Sequence, residues 1–129
     1  MKTSDMLAAL HQTLKAALPN VLWGQPLQDK PTVSPWSAIT CNGVSSRSAF
    51  DPRRHYVYFQ IWIYMDTEDE AELLNYAENT VAVFDDKLIQ GTGTGKVRFN
   101  CTSISPVFWA DEYQQKGITI TLRTLTTSI

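Results

Sequence analysis

The chain is short of the residues that usually announce chemistry. Its 129 residues contain only two cysteines, Cys41 and Cys101, and two histidines, His11 and His55. Two cysteines are too few for a disulfide scaffold, and they lack the paired spacing of a zinc site. Both read as small buried thiols. The histidines lie far apart, so no His-x-x-x-His or His-x-x-Glu pair is present to hold a metal. His11 falls on the polar side of a helix and His55 at a strand entrance, both as surface or edge residues. No stretch approaches the roughly 20 apolar residues of a membrane span, and the first dozen residues lack a signal peptide's unbroken apolar run. Folding in the cytoplasm and no membrane partner are therefore expected. The net charge of −2 lacks the strongly basic balance that holds nucleic acid by phosphate neutralisation.

What is present is an ordinary globular composition, 43% hydrophobic and 11% aromatic. The length is that of one domain with one core. Leu7, Leu10, Leu14, Ala17 and Leu18 recur at three- and four-residue spacing and predict a helix over about 4–18, stopped by Pro19-Asn20. Val21-Leu22-Trp23 reads as a short strand, and a proline-punctuated loop leads to a second strand over 36–42. Residues 43–54 show no apolar period and contain three serines and three arginines. They predict a long exposed loop, a usual place for function. Arg47, Phe50, Arg53 and Arg54 are its candidate partner contacts, because exposed arginines and an unpaired aromatic favour recognition.

The clearest strand is 55–65. Val57, Phe59, Ile61 and Ile63 alternate with Tyr56, Tyr58, Gln60, Trp62 and Tyr64. One face should meet the helices. The other is richer in aromatics than a solvated face needs to be, so it is covered either by the chain itself or by another subunit. Tyr56, Tyr58, Trp62 and Tyr64 are accordingly candidate subunit-interface residues. Thr67-Glu68-Asp69-Glu70 reads as a capping box opening a second helix, with Leu73, Leu74, Ala77, Val81, Phe84 and Leu88 on its core face and a stop at Gln90-Gly91. Strands over about 96–105 and 117–127 follow, with a polar turn at 111–116 between them. Gly91-Thr-Gly-Thr-Gly-Lys96 fails the phosphate-loop pattern, having Gln90 and Val97 where glycine and serine or threonine are required. It reads as a helix-to-strand connector. The expected fold is α+β, with two helices on one face of a mostly antiparallel sheet in the order α-β-β-β-α-β-β.

Charge is unevenly distributed. Residues 66–87 hold eight acids and one base, while the rest of the chain holds 10 bases and 5 acids. Dipole complementarity explains acids in the first helical turn but leaves Glu72, Glu78, Asp85 and Asp86 over. A bipolar subunit can meet copies of itself head to tail, so Glu72 and Glu78 join the candidate subunit interface.

The order of elements resembles the tail-terminator, or tail-completion, proteins of long-tailed bacteriophages, which include minor tail proteins. The likeness rests on the N-terminal leucine helix, the aromatic strand 56–64, the acidic-capped helix 67–88 and the closing segment Val107 to Leu122. It implies a structural virion protein, without catalytic residues, cofactor or metal. Such a protein forms a ring, typically of six subunits, on the head-proximal end of the tail tube. Its implied partners are its own copies, the tail-tube protein and the head-completion protein, with DNA passing through transiently. A head-tail connector or neck protein has similar size and habit, and a small α+β ligand-binding protein or enzyme is the reading from another class.

Overall fold

The computed structural model describes residues 3–18, 22–24, 34–47, 55–91 and 95–126. Helix α1 spans Thr3–Ala17 and is followed by β1 (Leu22–Gly24), β2 (Trp36–Arg47) and β3 (His55–Met65). Helix α2 (Glu70–Phe84) comes next, then β4 (Leu88–Gln90), β5 (Lys96–Arg98), β6 (Asn100–Ile104), β7 (Phe108–Ala110) and β8 (Gln115–Thr126). The main sheet runs β1-β2-β3-β8-β6, with β7 also paired to β8. All its pairings are antiparallel except β1 with β2, and β4 and β5 form a separate hairpin. The architecture is α+β.

The period-two pattern of β3 places Val57, Phe59, Ile61, Ile63 and Met65 on one face, all buried. Ile39 of β2 and Ile118, Ile120 and Leu122 of β8 extend that face sideways. Both helices pack there, α1 through Met6, Ala9, Leu10 and Leu14, and α2 through Leu73, Ala77 and Phe84. Leu7 and Leu18 lie partly buried beside them, whereas Ala17 is exposed. Apolar burial of this kind contributes about 25 cal/mol per Å² and is the main force holding the helices on the sheet.

Several local expectations are corrected. Residues 43–47 are not loop: they continue β2, paired to β3 through two register shifts. Gly43 adopts φ 107°, a conformation glycine reaches without a Cβ penalty. Backbone pairing with β3 therefore orders a segment without apolar period. Arg47 consequently sits in β2 opposite His55, while Phe50, Arg53 and Arg54 lie outside the described residues.

Helix α2 is capped by Asp69, whose carboxylate accepts from the Ala71 amide at 3.0 Å. Thr67 lies two residues outside, accepting from the Asp69 amide and donating to the Glu72 carboxylate at 2.9 Å. The helix stops at Phe84 because Asp85 takes an extended conformation, its amide donating back to the Val81 carbonyl. Leu88 thus belongs to a strand and is 56% exposed, and Leu74 is also exposed. The glycine-rich segment connects β4 to β5, with the Gly91 amide donating to the Gly95 carbonyl at 2.8 Å. The predicted strand over 96–105 divides at Phe99: β5 joins β4, and β6 joins β8.

The cysteines are corrected too. Cys41 is exposed and Cys101 half-buried. Cys41, Phe59, Leu122 and Cys101 occupy one row across four strands, which separates the two cysteines by about 14 Å at the usual strand spacing. A disulfide needs Cα atoms within about 7 Å. Burial, then the neighbouring Asp85 carboxylate, pushes the Cys101 thiol up, away from thiolate character.

Candidate functional surface

The sheet face opposite the helices carries the alternate residues of β3. Near Met65 it is covered by the chain itself. Trp36, Ala38 and Tyr64 pack there with Ala110 and Tyr113, which β7 and its following turn bring over the sheet. Trp36 stacks on Tyr64 at 4.7 Å between ring centroids and meets Tyr113 edge-on at 4.9 Å. Its indole N–H donates to Gln115 Oε1 at 2.9 Å, which satisfies two buried polar groups together. Gly117 is required at this point, since a Cβ there would lie 2.7 Å from the Phe108 ring and 3.1 Å from Tyr64.

Tyr64, offered by the sequence as a subunit contact, is therefore a core residue with 7% exposure. Tyr56, Tyr58 and Trp62 are half-buried on the same face. Tyr56 lies under the Arg123 guanidinium, 4.4 Å from the ring centroid, a cation–π contact. Trp62 donates its indole N–H to Thr40 Oγ1 at 3.1 Å, and Gln60 donates to Thr121 Oγ1 at 3.4 Å. The uncovered part of this face is thus a row of amphipathic side chains with several polar groups held across strands.

Between the covered and uncovered parts lies a cavity of about 250 Å³ lined by Ala38, Thr40, Trp62, Tyr64 and Glu112. Ala38 makes the space, being the small residue in register with Trp62. Glu112 stands in the turn after β7, and its charge reaches the phenols of Tyr64 and Tyr113. Trp36, Tyr113, Gln115 and Glu112 were absent from the sequence-derived candidates. A tyrosine inside the otherwise polar 111–116 segment was the one available signal.

Strand register also resolves the charge asymmetry. Trp36, Tyr64 and Gly117 mark one end of the long strands, and Arg47, His55 and Thr126 mark the other. Nine steps along β3 or β8 place these ends about 30 Å apart. Asp66, Glu68, Asp69 and Glu70 follow β3 directly at the first end, and Asp111 and Glu112 lie there in the turn before β8. Lys116 ties these segments together, donating to the Glu68 carbonyl at 3.2 Å and lying 4.0 Å from the Glu70 carboxylate.

The acidic run 66–87 is not one patch, because α2 carries its last members to the opposite end. There Asp85 accepts from the Cys101 amide at 2.8 Å, and Asp86 pairs with Arg98 at 3.1 Å. Glu72 is engaged by Thr67, as described, and Glu78 is exposed on α2. Three of the four acids left over by the dipole argument thus have local structural partners. Among the described residues, no group of three histidine, cysteine or acidic side chains is placed to hold a metal ion. Likewise, no described helix is long and apolar enough to cross a membrane.

Burial, reinforced by Tyr113 and Glu112, pushes the Tyr64 phenol up from 10.0 to about 12. Tyr113 moves in the same direction, through burial first and then Glu112. The folded state favours the neutral phenol. Its stability contribution is therefore complete below pH 10, the ordinary value, and is lost as pH rises through about 12. The denaturant midpoint is expected to fall over that window, with a shallower fall in Tyr64→Phe. Equal slopes in the two proteins would remove Tyr64 from the account.

No protein-family model matches the chain, and no curated protein matches it in sequence. Among solved structures, 21 chains match. One superposes with a TM-score of 0.55 at 20% identity, covering 96% of this chain and 96% of its own. The likeness is one of fold, extending through nearly the full length of both chains.

Proposed function

We propose that this chain is a structural virion protein: a ring-forming tail terminator that caps the head-proximal end of a phage tail tube. The observation that carries the reading is the sheet face opposite the helices. Its half-exposed Tyr56, Tyr58 and Trp62, with Arg123, form a broad amphipathic surface, and one end of the strands beneath it is acidic. Such a surface suits contact between folded subunits, where tyrosine and tryptophan bury apolar area while keeping a polar handle. The order of elements adds support through its resemblance to the tail-terminator proteins.

In this reading the protein acts by surface complementarity, and no bond is made or broken. One face of the ring matches the last ring of tube protein and stops further addition, while the other receives the head-completion protein. A pole-to-pole contact between copies is heterologous, and repetition closes it into a ring when the rotation permits. DNA passes through the central hole, where a mildly acidic chain avoids the phosphate neutralisation that would retain it.

Deleting the protein is expected to yield tails of abnormal length, or tails that fail to join heads, because an uncapped tube remains open to addition. Electron microscopy of tails made with and without the protein is the measurement. Tails of normal length joined to heads in the deletion would exclude the terminator role.

A further inference from the structure

The cavity beside Trp62 has a composition that points to one kind of ligand. At about 250 Å³ it is smaller than the roughly 300–1,000 Å³ typical of small-molecule sites and of a size for a single long side chain. Two aromatic rings line it, Trp62 and Tyr64, and neither is free to collapse into it. Trp62 is held by its bond to Thr40, and Tyr64 is clamped by Trp36 and Tyr113. The lining is mainly apolar and is completed by Thr40, whose hydroxyl Trp62 engages, and by Glu112, whose charge is felt by the Tyr64 phenol. Among the described residues Glu112 forms no ion pair, and no cation stands over Trp62 or Tyr64. About 20 Å along the same sheet face, six residues away in β3, Tyr56 holds the Arg123 guanidinium. A half-exposed indole with an acidic residue beside it favours a guanidinium, which stacks on the ring and donates to the acid.

We propose that this cavity receives an arginine side chain from a second copy of the chain. Charge complementarity selects that occupant. The cavity lies at the end of the strands crowded by Asp66, Glu68, Asp69, Glu70, Asp111 and Glu112. The opposite end carries Arg47, in register with His55, and among the described residues Lys87, Arg98 and Arg123 outnumber Asp85 and Asp86 there. An acidic pole with an aromatic socket facing a basic pole is a head-to-tail contact. The choice of a second copy rests on the ring-forming reading above, whereas the guanidinium specificity rests on the cavity alone.

The test has two arms, both on the intact chain. In the first, N-acetylarginine amide is titrated while the Trp62 indole N–H is followed by nuclear magnetic resonance. A saturable shift is expected, weakened about 3- to 10-fold in Glu112→Gln and absent with the norleucine amide. No shift, or an equal shift in Glu112→Gln, overturns the cavity assignment. Glu112 is exposed in a turn, so the variant is expected to fold, and circular dichroism checks that it has.

In the second arm, sedimentation velocity at low salt follows self-association as concentration rises. Association is expected in the wild type, lost in Glu112→Arg and recovered in Glu112→Arg with Arg47→Glu. A chain that binds the probe but stays monomeric, or associates equally well as Glu112→Arg, overturns the second copy as occupant. Absence of recovery in the double variant removes Arg47 as the donor and overturns the pole-to-pole pairing. The two readings fail separately. Probe binding with normal tails in the deletion keeps the cavity and rejects the terminator role, and aberrant tails without probe binding do the reverse.

Discussion

Phe59→Ala is expected to lower folding stability by about 3–5 kcal/mol, the usual cost of emptying a fully buried phenylalanine site. Phe59 is 0% exposed at the middle of β3, between the long strands β2 and β8. Its ring meets Phe99 edge-on at 5.7 Å. Phe99 in turn anchors the end of α2, since its carbonyl accepts from the Asp86 amide at 2.9 Å and the residue itself forms an isolated bridge with Asp85. Truncation therefore removes apolar burial and loosens the attachment of the helix layer at one end. Because domains are stable by only about 5–15 kcal/mol, the variant should unfold at much lower urea or not fold at all. Phe59→Leu keeps most of the volume and should cost less than about 1.5 kcal/mol. Urea unfolding of the three proteins is the check. A loss below about 1 kcal/mol for alanine would mean that the sheet relaxes into the space.

Trp36→Ala is expected to cost a similar amount, about 3–5 kcal/mol, with a different structural outcome. Trp36 is 1% exposed and lies at the centre of the second cluster, on the sheet face away from the helices. Its removal withdraws the ring's support from Tyr64 and leaves the buried Gln115 oxygen without its donor, which accounts for about 1–3 kcal/mol of that cost. The helix-facing core does not include Trp36. Helical circular dichroism should therefore survive at temperatures where the near-ultraviolet aromatic signal has already fallen. The Trp62 socket, which uses Tyr64 as a wall, should lose arginine-probe binding in this variant. Trp36→Phe keeps a ring for stacking while losing the hydrogen bond and part of the buried volume, for a cost of about 1–3 kcal/mol. Simultaneous loss of the helical and aromatic signals in Trp36→Ala would show that the two clusters melt as one unit.

Periodicity made α1, β3 and the buried side of α2 legible. Leu10 and Leu14, Phe59 and Ile61, and Leu73, Ala77 and Phe84 recur at the repeats of their own elements, and all are buried. A repeat of 3.6 or 2 residues depends on local backbone geometry alone, so the sequence carries it without knowledge of distant partners. The α+β class followed from the same signals. Helix ends were less legible, because Thr67 and Asp69 are both good caps and the choice between them depends on where β3 releases the chain.

The covering of the second sheet face lay beyond any local repeat. Alternation in β3 shows that Tyr64 and Tyr56 share a face, yet only the long-range pairing of β8 with β3 and β7 brings Tyr113 and Ala110 over Tyr64 while Tyr56 meets Arg123. The same pairing sets Glu112 beside Trp62, while the length of α2 carries Asp85 and Asp86 to the far end of the long strands. Residues such as Trp36 and Gln115, 79 positions apart, meet because strands between them align side by side. The apolar pattern is thus a property of each segment, and the aromatic socket is a property of how segments from opposite parts of the chain are laid together.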